Sequence, residues 1–154
     1  MADGLRLFFL RHGRADRDQY DGDDDALRPL VASGRERMRV TAEVLARLTP
    51  DLDALFTSPL LRAAQTAEIV ARRLGRLDVL HTDARLGPGF DVGDLASLLA
   101  GLRRDHRRIM LVGHEPDFSL VIGELTGAAA VMRKGALARV DLTPGGGHRG
   151  RLIW

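Results

Sequence analysis

Leu5-Arg6-Leu7-Phe8-Phe9-Leu10-Arg11-His12-Gly13 is the stretch on which the fold turns. From Leu5 to Leu10 every position but Arg6 is apolar, and the run is short, which reads as a buried strand. It stops abruptly at a cation, a histidine and a glycine, a residue that takes backbone angles others resist. Such a strand delivers polar chemistry at its tip. Three letters also fit an ordinary strand end, so the weight falls on whether the rest of the chain repeats the pattern.

It does. After Arg14 the chain turns polar and carries Asp16, Asp18, Asp21, Asp23, Asp24 and Asp25. A calcium loop of the EF-hand kind fails, because a start at Asp16 puts Tyr20 and Asp21 where an acid and the glycine belong. The segment reads as a solvated loop. Ser33 and Glu36 have the spacing of a capping box, Met38, Ala42, Leu45 and Leu48 follow at helical spacing, and Pro50 ends that helix.

Ala54 to Thr57 is a second short strand, closed by Ser58-Pro59, a good cap followed by the imino acid tolerated at a first helical position. The helix from Ser58 buries Leu60, Ala63, Ala64, Ala67, Val70, Ala71 and Leu74, with Arg62, Gln65 and Thr66 off that stripe. Arg62 thus lies beside a helix N-terminus, itself an attractor of anions. Gly75 ends this helix. Leu77 to Leu80 reads as a third strand, Thr82 to Phe90 as a loop, and Leu95, Leu98, Leu99 and Leu102 as a third helix closed by basic residues.

Ile109 to Val112 is apolar throughout, which marks a central strand covered on both faces. It runs into Gly113-His114-Glu115-Pro116, so His114 repeats the placement of His12. A helix with Phe118, Val121, Ile122 and Leu125 on one face follows, up to Gly127. Alternation at Ala136, Ala138, Val140 and Leu142, then Pro144 to Gly147, then Gly150 to Trp154, describes an antiparallel hairpin at one edge. The expectation is one domain over residues 1–154 with a three-layer α/β/α architecture. Its sheet is mostly parallel, with helices on both faces and the hairpin at an edge.

Composition narrows the function. The 154 residues suffice for a core without disulfides, and the absence of cysteine removes thiol nucleophiles, cysteine-bound zinc and redox motifs. No apolar leader or membrane-length stretch stands out, which predicts a cytoplasmic protein that engages no membrane. The formal charge is +2 and aromatics are 5% of residues, a poor match to a nucleic-acid binder. The basic residues are nearly all arginine, Lys134 being the only lysine.

Arg11, His12, Ser58, Arg62 and His114 all follow strand ends, where open α/β sheets bind ligands. Two arginines, two histidines and a helix N-terminus around one point suit a tetrahedral dianion such as a phosphoryl group. The cations disfavour protonation of His12, leaving it a neutral nucleophile that can form a covalent intermediate. Arg11, Arg62 and His114 then face the equatorial oxygens, Gly13 allows close backbone approach, and Ser58 adds a hydrogen bond. His81, His106 and His148 belong to no motif.

At these residues the chain resembles the histidine phosphatase superfamily, typified by cofactor-dependent phosphoglycerate mutase. Leu10 to Gly13, Thr57 to Thr66 and Val112 to His114 look like its three blocks, in order. The resemblance implies that His12 becomes phosphorylated and that Arg11, Arg62 and His114 bind phosphate. The short chain, Leu27-Arg28-Pro29-Leu30 with Ser33-Gly34, and the hairpin tail are most similar to the small SixA branch of phosphohistidine phosphatases.

Larger members place a glutamate proton donor after the third strand, whereas Asp83 to Gly93 contains none. Asp91, Asp16 and Asp18 are the substitutes at hand. A phosphorylated imidazole leaves more readily than an alkoxide, so the lack of a fixed acid favours a phosphoramidate. The leading expectation is hydrolysis of phosphohistidine on a partner protein. The alternatives are a phosphomonoesterase for sugar phosphates or nucleotides, and a phosphate-binding module without turnover. No cofactor or metal is expected, since the arginines supply the positive charge, and nothing demands an oligomer.

Overall fold

The structure, a computed structural model, describes residues 4–48 and 51–154. Six strands form one sheet: β1 (Arg6–Arg11), β2 (Ala54–Thr57), β3 (Leu80–Thr82), β4 (Arg108–Gly113), β5 (Leu137–Leu142) and β6 (Gly150–Leu152). Their order across the sheet is β3-β2-β4-β1-β5-β6. The first four run parallel, while β5 pairs antiparallel with β1 and β6 antiparallel with β5. The tail therefore forms the expected antiparallel edge.

Strand periodicity divides the core in two. Leu7, Phe9, Ile109 and Leu111 face one way and pack with Leu95 and Leu98 of helix α3 (Val92–Ala100) and Phe118, Val121 and Ile122 of α4 (Asp117–Thr126). Phe8, Leu10, Leu55, Met110 and Val112 face the other way. They meet Met38, Ala42 and Leu45 of α1 (Ala32–Leu48) and Ala63, Ala67 and Val70 of α2 (Leu61–Leu74). Because β1 and β4 are apolar on both faces, only the centre of a three-layer stack accommodates them. The α2 and α4 helices end at Gly75 and Gly127, both in the left-handed conformation at φ 65° and 71°.

Several local expectations are corrected. Helix α1 starts at Ala32, so Ser33 lies inside its first turn and caps nothing. Its stop at Pro50 lies outside the described residues. Helix α2 starts at Leu61 rather than Ser58. The Ser58 hydroxyl instead accepts the Leu60 N–H at 3.2 Å within the preceding turn. Leu77–Val79 is a 3-10 turn, and the strand begins only at Leu80, where pairing with Leu55 becomes available. Helix α3 ends at Ala100, short of Leu102.

Candidate active site

All four parallel strands end on the same side of the sheet, and there they open into a cleft of about 630 Å³. Arg11, His12, Arg62 and His114 all line it. His12 is held on every side. Its backbone N–H donates to Gly113 O at 3.1 Å and its carbonyl accepts the Gly135 N–H at 2.9 Å. The ring nitrogen Nδ1 lies 2.7 Å from the Gly13 carbonyl. A carbonyl can only accept, so Nδ1 carries the proton and the lone pair resides on Nε2.

Electrostatics keep that ring neutral. Burial lowers the His12 pKa to about 3, with His114, Arg62 and Arg11 adding to the shift against the opposing bond to Gly13. His114 is lowered to about 4, first by burial and then by Arg62 and Arg11. The two rings are 5.3 Å apart between centroids. Both are 6% exposed.

The arginines are fixed through backbone oxygens. Arg11 donates from Nη1 to Met132 O at 2.8 Å. Arg62 donates from Nη1 to Asp25 O at 2.9 Å and pairs with the Asp25 carboxylate at 3.3 Å. Burial, with Arg28 nearby, lowers the Arg62 pKa from its ordinary value, yet arginine begins so high that it stays charged. Nε of both Arg11 and Arg62 is buried without a partner among the described residues. The guanidinium groups thus have donors in excess, as an oxyanion site requires.

The other expected residues divide. Ser58 is fully buried, with its hydroxyl 2.7 Å from Nε2 of His114. It is placed to orient that ring rather than to meet a ligand. Gly13 also faces away from the cleft: its N–H donates to Thr66 Oγ1 at 3.0 Å, and a Cβ there would stand 2.7 Å from Met38 Cγ. Close packing against α1, not approach to phosphate, accounts for the glycine. Thr66 and Arg62, expected off the buried stripe of α2, are themselves buried, Thr66 against the Gly13 N–H and Arg62 against Asp25.

Among the expected proton donors, Asp91 lies outside the cleft. It caps α3 in a capping box with Asp94, its carboxylate accepting the Asp94 N–H at 2.9 Å. Asp16 lines the cleft but pairs with Arg14 at 2.5 Å and Lys134 at 3.6 Å. The hydrogen bond from Arg14 holds its carboxyl below the usual range, so it remains an anion rather than a donor. Asp18 lines the cleft from the exposed Arg17–Gln19 turn.

Sequence reasoning assigned no role to Asp25, Arg28, Lys134 or Asp117. Arg28 lines the cleft and pairs with Asp25 at 2.9 Å, so Asp25 holds two arginines at once. Arg28 also donates from Nη1 to the Ala15 carbonyl. Lys134 stood out only as the single lysine in an arginine-rich chain.

Residues 7–95 match the histidine phosphatase superfamily, branch 1. An uncharacterized protein of Picosynechococcus sp. is 38% identical over 143 residues, covering 85% of this chain and 76% of its own length. Phosphohistidine phosphatase SixA of Escherichia coli is 28% identical over 122 residues, 79% of this chain and 74% of that protein. Among solved structures, the protein histidine phosphatase SixA complexed with tungstate superposes with a TM-score of 0.85 at 27% identity. That match covers 97% of this chain and 95% of the other. The chain belongs to the histidine phosphatase superfamily and is a histidine-dependent phosphatase. Within the superfamily its likeness is to the SixA-type branch.

Proposed function

We propose that the protein hydrolyses phosphohistidine on a partner protein through a covalent intermediate on Nε2 of His12. The observation that carries the reading is the Gly13 carbonyl, which fixes the proton on Nδ1 of a neutral ring and leaves Nε2 as the nucleophile. In the first step Nε2 bonds to phosphorus as the bond to the leaving atom breaks. Arg11, Arg62 and His114 meet the charge on the equatorial oxygens, which preorganised donors stabilise in the transition state. In the second step water attacks phosphorus, the P–N bond breaks, and orthophosphate leaves.

The substrate class follows from three supports. The cleft opens to solvent at the strand ends, the Asp83 to Gly93 segment has no glutamate, and the similar E. coli protein is a phosphohistidine phosphatase. A displaced imidazole needs less help from an acid than an alkoxide.

The test is trapping of acid-labile phosphate on wild type and His12→Ala, together with turnover of a phosphohistidine protein against sugar phosphates and nucleotides. Labelling lost in His12→Ala, with the phosphoprotein turned over fastest, is expected. Equal labelling of both proteins rejects the nucleophile. Preference for the small esters rejects the partner-protein substrate and establishes a phosphomonoesterase instead.

A further inference from the structure

The cleft holds four carboxylates that the phosphoryl chemistry above does not use, and two of them are already engaged. Asp16 is bound by Arg14 and Lys134. The Glu115 carboxylate accepts both the N–H and the hydroxyl of Ser119, at 3.1 and 2.5 Å. Asp18 has no cationic partner among the described residues, but it sits exposed on a short turn.

Asp117 differs from all of these. It stands half-buried in the first turn of α4, just beyond His114, and lines the same cleft as His12. Its Oδ2 accepts the N–H of Gly89 at 2.9 Å, which ties it to the Pro88-Gly89 wall. No cation pairs with it among the described residues, and its second oxygen has no hydrogen bond there. One oxygen is anchored while the other is free, on a rigid element beside the reacting centre. An anchored carboxyl with one unpaired oxygen, on a helix that lines the same cleft as His12, suits a group that exchanges protons with a bound substrate.

We propose that Asp117 is the acid–base catalyst of this cleft, a role that rests on His12 as the nucleophile. As His12 Nε2 bonds to phosphorus and the bond to the leaving atom breaks, the Asp117 carboxyl group passes a proton to that atom. In the second step the Asp117 carboxylate takes a proton from water as the water oxygen bonds to phosphorus and the P–Nε2 bond breaks. Orthophosphate leaves, and both the acid and the neutral imidazole are restored. An imidazole leaving group gains from this proton as well, though less than an alkoxide would, so the role is compatible with a phosphohistidine substrate.

Asp117→Asn tests it, because the amide oxygen can still accept the Gly89 N–H while the proton function is gone. Its kcat/KM is compared with wild type over alkyl phosphates, a phosphohistidine protein and aryl phosphates. The loss should grow with the basicity of the leaving atom: ~100-fold or more for alkyl phosphates, ~10-fold for phosphohistidine and a few-fold for aryl phosphates. With an aryl phosphate, acid-labile phosphate should accumulate on His12 of the variant, since water attack is slowed. A loss of the same size across the series, no loss, or no accumulation overturns the assignment. If wild type itself forms no adduct on His12, the nucleophile reading fails, whereas the leaving-group gradient still judges Asp117 separately.

Discussion

At the scale of single residues, His12 and His114 trade stability for chemistry. Each is neutral in the folded protein, with pKa values lowered to about 3 and about 4, whereas an unfolded histidine titrates near its ordinary value of 6.5. The unfolded chain therefore binds more protons below that value, and linkage takes stability away as pH falls. The contribution is fully present above pH ~6.5 and is lost as pH drops through the two folded values, on the order of a few kcal/mol for each histidine. Melting temperatures measured from pH 8 to pH 4 should fall most steeply below pH ~6.5, and His12→Asn/His114→Asn should flatten that limb. An unchanged slope in the double variant would show that carboxylates alone set the acid limb. By the same shifts, protonation of the free enzyme's His12 should leave kcat/KM level down to well below pH ~6.

At the scale of elements, the loop from Arg14 to Leu30 holds Asp25, the support of Arg62 that the sequence did not disclose. The strands β1 and β4 were legible because burial on both faces leaves an unbroken apolar run, and the helices because their stripes recur at helical spacing. Helix starts were not. Ser58 has the chemistry of a cap, yet its hydroxyl serves Leu60 N–H and His114 in the turn before the helix. Leu77 to Leu80 has strand composition, but only Leu80 finds a partner strand. The nucleophile, the two phosphate arginines and His114 could be read from motifs at strand ends. Their supports could not, because Arg11 is fastened to Met132 and Arg62 to Asp25 by contacts distant in the chain.

That loop is itself pinned at α1. Val31 N–H donates to Arg14 O at 3.0 Å, and a Cβ on buried Gly34 would stand 2.3 Å from the same oxygen. The obstacle is backbone, which gives way less readily than a side chain. Gly34→Ala gains helix propensity worth ~1 kcal/mol but must displace the loop, at ~1–3 kcal/mol for overpacking. A lower midpoint in urea unfolding is expected, together with a raised KM, since Asp25 on the loop holds Arg62 and Arg28. A variant with an unchanged midpoint would mean that the loop yields freely and does not fix the arginines.

At the scale of the whole molecule, charge is distributed unevenly in its consequences. Most of the arginines that form ion pairs among the described residues do so at the surface, as in Arg72–Glu68 and Arg103–Asp105, contacts that contribute little in water. Arg62 is buried at the convergence of strand ends, and its desolvation is only partly offset by Asp25. Folding thus brings Arg11, Arg28 and Arg62 together in one cleft, a repulsion that an oxyanion relieves, so anion binding should be linked to global stability. Vanadate, tungstate or orthophosphate at about one hundred times its dissociation constant should stabilise the fold by ~2.7 kcal/mol. For a chain of this length that corresponds to a melting shift of roughly 5–11 °C. Arg62→Gln should abolish most of the shift at the same anion concentration, because it removes the cation and its forked donors while leaving a polar side chain at the site. A shift that persists in Arg62→Gln would locate anion binding away from the strand ends, and with it the reacting centre.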